Sequence, residues 1–306
     1  MAQQSASLPP LDVTRAPEGG EVGPIQSGWR LALREFASNR LAVVGVGILL
    51  FFVVFCFFGP LFYHANLLQT DLINSHDPPG AGHPLGTDAN GFDVLGQLMK
   101  GGQAALEIGF FAAFVAITIG ALVGAVAGLV GGLVDSTLMR ITDVFLSIPF
   151  LFIVLILAVR YGATVLSLSL VFGAFSWQVP ARLVRAEVLT IRERDFVAAA
   201  RTAGAGKGRL IGRHLLPNAL GVVIVNVTFQ VADAILAVSY IGFLGFGLHY
   251  PNLDWGDMIS DGVGYMQDGY WWLIYPVGVC IVLTVMALNF IGDALRDSMD
   301  VRLRRR

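Results

Sequence analysis

Residues 185–218 read RAEVLTIRERDFVAAARTAGAGKGRLIGRHLLPN. The stretch is polar, basic and helix-prone, and it stands between two long apolar segments. Charged side chains are costly away from water, so the stretch must project from an apolar body into solvent. That body is the rest of the chain. Its 306 residues are 55% hydrophobic and 14% charged, against roughly 25% charged in a soluble domain. The composition is that of an all-α integral membrane protein. The net charge of −2 carries little information, because the charges are segregated along the chain. No nucleic-acid partner is expected.

A spanning helix needs roughly 20 apolar residues. Six such segments are legible, at about 41–63, 105–130, 144–161, 165–184, 219–243 and 271–295. With six spans, nearly every basic residue falls on one side: Arg15, Arg30, Arg34, Arg40, Arg140, Arg182, Arg185, Arg192, Arg194, Arg201, Lys207, Arg209, Arg213, Arg296, Arg302, Arg304, Arg305 and Arg306. Lys100 and Arg160 fall on the other, with Asp71, Asp77, Asp88, Asp93, Asp254, Asp257, Asp261 and Asp268. Cytoplasmic loops carry the excess of Lys and Arg. Both termini and the loop of about 185–218 are therefore expected in the cytoplasm.

The organisation expected is a disordered cytoplasmic tail over 1–28, an amphipathic interfacial helix over 29–40, a first span over 41–63 and an outer loop over 64–104. A core of five spans follows over 105–295, and a basic tail over 296–306. The Pro- and Gly-rich start has no basic segment followed by an apolar run, so it is not read as a signal peptide. Trp29 to Arg40 alternates apolar and basic residues, as a helix lying in the membrane surface does.

Within the second span Gly120, Gly124, Gly128 and Gly132 recur every four residues. They form one small-residue face that lets a second helix approach closely, from this subunit or another. Pro149 and Pro180 lie in or beside spans three and four, where each removes a backbone donor and can kink the helix. Cys56 and Cys280 fall in apolar segments and are expected as buried, reduced thiols. The five histidines show no metal-ligand spacing, and no metal site is assigned.

No catalytic set is present. Gly204-Ala-Gly206-Lys207-Gly208 has a phosphate-loop look, but Arg201 stands in place of the first glycine and Gly208 in place of the hydroxyl residue. The bland reading, a helix break that lets the loop turn, is preferred. The polar residues in the spans are Gln178, Asn226, Gln230, Asp233 and Asn289, which should face the bundle interior or a watery cavity. Asn226, Gln230 and Asp233 share one helical face. That face either lines a pathway or ties helices together by hydrogen bonds. In the loop, the Ala-rich run to Arg201 favours helix, Gly204 to Gly208 stops it, and RLIGRHLL resumes it up to Pro217. A helix–break–helix of this length suits a docking surface for a cytoplasmic protein.

On those residues the loop resembles the permease subunits of ATP-binding-cassette importers. Their signature has Glu-Ala-Ala, three residues, Gly, nine residues, then Ile-x-Leu-Pro. Ala199, Ala200, Gly204, Leu216 and Pro217 match; Ala198 replaces the Glu and His214 the Ile. The likeness narrows to the second permease of the dipeptide and oligopeptide group. It does so on His83-Pro-Leu-Gly-Thr-Asp88, on Gly131-Gly132 with Asp135, Met139-Arg140 and Asp143 to Pro149, and on Phe243-Leu-Gly-Phe-Gly247, Trp255-Gly256 and Asn289 to Asp297. The family's Gly-Arg-Asp is Gly91-Phe92-Asp93 here, and its Glu near the end of span five is Val238.

The resemblance implies an inner (cytoplasmic) membrane subunit of a prokaryote, paired with a homologous second permease, two cytoplasmic ATPases and an extracytoplasmic binding protein. It is not itself an enzyme and binds no cofactor, because ATP and magnesium belong to the ATPases. Ala198, Ala199, Ala200, Arg201, Gly204, Arg209, Leu216 and Pro217 would seat on an ATPase. Arg192, Arg194, Arg201 and Arg209 would supply charge there. Di- or oligopeptides are the expected cargo. Glutathione, chelated nickel or antimicrobial peptides are the alternatives within the group, and a proton-coupled carrier using Asp233 is the alternative outside it.

Overall fold

The computed structural model describes residues 28–248 and 251–304. The tail expected over 1–28 lies outside them, apart from Gly28. Every regular element among the described residues is helical; Thr87 and Asp93 form an isolated bridge. Helix α1 (Gly28–Ser38) ends where the Asn39 side chain caps α2 (Arg40–Phe62), accepting from the Leu41 and Ala42 N–H groups. An outer loop then leads to α3 (Val94–Val130), which is capped by Asp93 and starts eleven residues before the expected second span. Asp93 is buried and takes three donors: Gly96 N–H at 2.7 Å, Tyr63 Oη at 2.6 Å and His83 Nδ1 at 2.8 Å. Burial, and then the Asp93 carboxylate beside it, push the Tyr63 phenol well above its usual range.

The middle of the chain does not form the unbroken third and fourth spans expected. Helices α4 (Gly132–Ser147) and α5 (Phe150–Tyr161) meet at a bend of 77°. The bend sits at Ile148-Pro149, where the proline ring forces its predecessor out of the helical region. The third span is therefore a broken pair rather than one helix from Val144. Helix α6 (Val165–Ala174) has ten residues, about 15 Å of rise, half the thickness of a bilayer core. The chain breaks at Phe175 to Trp177 and resumes as α7 (Gln178–Ile191). Pro180 lies in the first turn of α7, where a missing N–H costs nothing, so it starts a helix instead of kinking one.

Among the described residues, four helices are by themselves long and apolar enough to cross a membrane: 40–62, 94–130, 207–243 and 271–299. The bent pair α4–α5 makes a fifth if counted as one span. The segment 207–243 joins α9 (Lys207–Arg209), a π-helical turn (Leu210–Leu215) and α10 (Leu216–Phe243). The expected stop at Pro217 does not occur. The wide turn lies just before the proline, whose missing donor is thereby tolerated near the helix start. Helices α11 (Trp255–Val263) and α12 (Tyr275–Arg304) complete the chain. Helix α12 runs on through the described part of the expected basic tail, and α1 packs against it.

Helix α3 is the hub, and its most extensive interface is with α7. A Cβ on Gly120 would lie 2.6 Å from Pro180 Cβ, and one on Gly128 would lie 2.8 Å from Val188 Cγ1. At Gly124 it would strike the Ala181 carbonyl oxygen. The small-residue face thus packs on a helix of the same chain. Gly132 does not belong to it: α3 ends at Val130, Gly131 has φ 67°, and Gly132 starts α4 at φ 57° with open space around it.

At the far end of α3, Trp255 is fully buried. It lies against Phe52 and over Gly101 and Gly102, and its Nε1 donates to the Leu98 carbonyl at 3.0 Å. Cys56 and Cys280 are buried free thiols in this cluster.

Gly124→Leu should destabilise the purified protein by about 1–3 kcal/mol or more, the usual range for overpacking. Gly278→Ala, which meets nothing within 4 Å, should stay within about 0.5 kcal/mol. Thermal midpoints of the two variants against wild type check the pair.

Candidate functional site

The charged stretch of 185–218 is only partly loop. Its first residues finish α7 and its last residues belong to the π-turn and α10. Between them stands α8 (Asp195–Thr202). One side chain anchors it. Val197 is fully buried in a cluster with Leu129 of α3, Val188 and Ile191 of α7, and Leu210 and Leu215 of the π-turn. The opposite side of α8 is bare: Ala198, Ala199 and Arg201 are exposed and Ala200 is half-buried.

Helix α8 closes with a Schellman motif. The Ala205 N–H reaches the Ala200 carbonyl and the Gly204 N–H reaches the Arg201 carbonyl, each at 3.0 Å. Gly204 sits at φ +81°, a left-handed position that a side chain would strain. This is the physical content of the matched glycine. Arg194, Arg201, Lys207 and Arg209 are exposed around this tip and make no ion pair among the described residues. Arg192 departs from the expected set: its Nη1 donates to the Gly128 carbonyl at 2.8 Å, and its Nε donates to Glu193 at 2.8 Å. A cation at the C-terminal carbonyls of α3 fits that helix's dipole. Leu216 is half-buried and Pro217 exposed, both at the start of α10 rather than on the tip.

Two further arginines tie α7 to α4. Arg185 grips Asp135 with two bonds, at 2.5 and 2.6 Å, and Arg182 meets Asp143 at 2.5 Å. Helix α4 is otherwise largely exposed. A fork-to-carboxylate pair of this kind fixes both distance and orientation.

The polar membrane residues divide. Gln178 is buried, and its Nε2 donates to the Phe175 carbonyl at 2.9 Å across the break between α6 and α7. Asn289 is half-buried on α12 and donates to the Val285 carbonyl at 2.9 Å. Asn226, Gln230 and Asp233 do share one face of α10. That face points away from Val231, Ile235 and Val238, which fill the chain's own core. Asn226 and Gln230 are half-buried and Asp233 is exposed.

The family described as "Binding-protein-dependent transport system inner membrane component" matches residues 78–305. The chain belongs to this family. "N-terminal TM domain of oligopeptide transport permease C" matches residues 27–79, which hold α1 and α2. The "Oligopeptide transport system permease protein OppC" of Salmonella typhimurium is 38% identical over 277 residues, 90% of this chain and 91% of that one. The "Dipeptide transport system permease protein DppC" of Bacillus subtilis is 38% identical over 274 residues, 90% and 86% of the two chains. Among solved structures, a chain of the inward-facing MetNI methionine ABC transporter matches with a TM-score of 0.52 at 25% identity. That match covers 67% of this chain and 96% of that one.

In this inner membrane component two residues matter that the sequence reading placed only by charge or passed over. Asp254, read there as an outer-loop acid, is fully buried. Its carboxylate accepts from the Leu248 N–H at 3.0 Å, Gly256 N–H at 2.8 Å and Asp257 N–H at 3.0 Å. Burial pushes its carboxyl upward and the three N–H groups pull it back. The signal was present: an Asp directly before a helix is a strong N-cap. Gly242 and Gly247 leave the space it occupies, since a Cβ at either would meet its carboxylate, and Gly256 lets α11 approach the Ser239 backbone of α10. Glu107 is the second. It is half-exposed, one turn from Phe110 and Phe111 on the outward face of α3, but it lay at the edge of the expected span.

Asp254→Ala leaves two buried N–H groups and one half-buried one without this acceptor and should cost about 3 kcal/mol. Asp254→Asn keeps an accepting oxygen and should cost less. The order of the two thermal midpoints below wild type checks this.

Proposed function

We propose that this chain is a pore-forming permease subunit of an ATP-driven importer that carries di- or oligopeptides across the inner membrane. The carrying observation is α8. It is a small-residue helix presented to solvent, ringed by unpaired cations and held by Val197 to α3, α7 and the π-turn. A part that only turned the chain would need neither the buried anchor nor the bare outer face; most connections need only about 4–6 residues. The names of the relatives, oligopeptide and dipeptide permeases, support the cargo class. The relatives are transport permeases rather than enzymes.

In this reading α8 seats in a groove of a cytoplasmic ATPase, where Ala198, Ala199, Ala200 and Arg201 make the contact. ATP and magnesium are held by the two ATPase subunits and not by this chain. A homologous second permease completes the pathway, and an extracytoplasmic binding protein delivers the cargo. The segregation of basic residues supports a cytoplasmic location for both termini and for α8. ATPase closure displaces α8, and Val197 passes the displacement to α3 and α7. Arg185–Asp135 and Arg182–Asp143 pass it on to α4, so the bent pair α4–α5 moves with the coupling helix rather than with lipid.

Deleting 198–209 from the assembled importer should abolish ATP-driven peptide uptake in proteoliposomes while the chain still inserts. Normal uptake by that variant overturns the coupling role. For the ion pair, Asp135→Arg should reduce uptake about tenfold, and the swap Asp135→Arg with Arg185→Asp should recover most of it, as contacting pairs do in double-mutant cycles.

A further inference from the structure

Helix α10 presents a carboxylate where a membrane helix least tolerates one. Asp233 stands ten residues before Phe243 (243 − 233 = 10), about 15 Å of helix rise from that end. It is exposed on the chain's surface, and no described residue gives it a hydrogen bond or an ion pair. Lipid cannot satisfy it. Gln230 lies one turn away on the same face, about 5–6 Å between Cβ atoms, and its amide is also without a hydrogen bond among the described residues. Asn226 continues the row; one of its amide N–H groups donates to the Val222 carbonyl at 2.9 Å, and its carbonyl oxygen is left to accept. Tyr240 extends the row toward the other end and is 59% exposed.

The row therefore holds one charged acceptor, Asp233, beside two amide oxygens, and no cation of its own. The matching ligand is a compact cation that brings only donors. A primary ammonium has three donors and no acceptor, and between Asp233 and Gln230 it would find a charged acceptor and a neutral one. A peptide cargo varies in every side chain, but each unmodified peptide carries one α-ammonium. A single fixed carboxylate suits an invariant group and leaves the variable groups unread.

We propose that Asp233, aided by Gln230, is a transient binding subsite for the N-terminal ammonium of the peptide cargo inside the translocation pathway. The inference rests on the peptide-importer reading above. It makes Asp233 a specificity-determining residue of the permease, distinct from any selection by the binding protein. Contact must be weak enough to release, and one charge-assisted bond in a wet cleft meets that condition.

The test uses the whole importer in proteoliposomes and two tripeptides identical except for N-acetylation, each supplied at a concentration that saturates the binding protein. Wild type should carry the free-amine peptide about tenfold faster, the factor expected for losing one charge-assisted hydrogen bond. Asp233→Asn should remove that gap by slowing the free-amine peptide alone, and Asp233→Glu should keep most of it. Equal slowing of both peptides would assign Asp233 to a cation of the second permease or to helix packing, and overturns the subsite. An unchanged gap in Asp233→Asn overturns it too. If Asp233→Asn does not assemble with its partners, Gln230→Leu should still narrow the gap to about threefold, and a full gap there overturns the proposal. Absence of any peptide uptake by wild type sinks the importer reading itself, a result separate from all of these.

Discussion

Helix α3 lies against α7 at backbone distance because Gly120, Gly124 and Gly128 place no side chain between them. In an apolar solvent, packing rather than the hydrophobic effect holds helices together. Close approach is what makes that packing strong. The rest of the chain is arranged on this contact. Residue Arg192 at the end of α7 reaches the last carbonyls of α3, and Val197 follows into the same cluster. Without the α3–α7 contact α8 would hang on a free connection. With it, α8 is a projection carried on α3 and α7.

The other end of α3 is fixed by different means. There the chain uses polar groups sealed from solvent: Asp254 on three backbone N–H groups and Trp255 on the Leu98 carbonyl. Buried polar groups are costly when unmatched and directional when matched. This cluster therefore orients the α10–α11 connection rather than merely filling space. The two ends divide the labour. Glycine packing holds the α8 end of α3 against α7, and a hydrogen-bonded knot fixes the opposite end.

Several features were legible from local sequence. The Gly204 stop is a backbone requirement of five or six residues, and it appeared as a Schellman motif. The row of Asn226, Gln230 and Asp233 follows from helical period alone, and it does share a face. The bend at Pro149 was flagged, but its 77° was not. The misread fourth span has a physical source. Hydropathy cannot distinguish a side chain against lipid from one against a neighbouring helix, since both surroundings are apolar. A continuous apolar run from Val165 therefore read as a single span, although the chain breaks before Trp177. The start of α3 was missed by eleven residues for another reason: Gln97, Lys100 and Gln103 interrupt its apolar run.

Composition and period were enough to establish an all-helical membrane chain, a charged projection and the glycine stop within it, because each is decided within one or two helical turns. Which faces meet was decided only by the folded chain. Gly132 follows its glycine neighbours in spacing and yet leaves their face, since Gly131 turns the backbone before it. Arg192 matches Arg194 in type and yet turns inward, because the end of α3 offers it a carbonyl. Asp254 lies among outer-loop acids in sequence and at zero exposure in space. In each case the deciding partner is an atom whose position depends on the whole backbone path, and no window of sequence contains it.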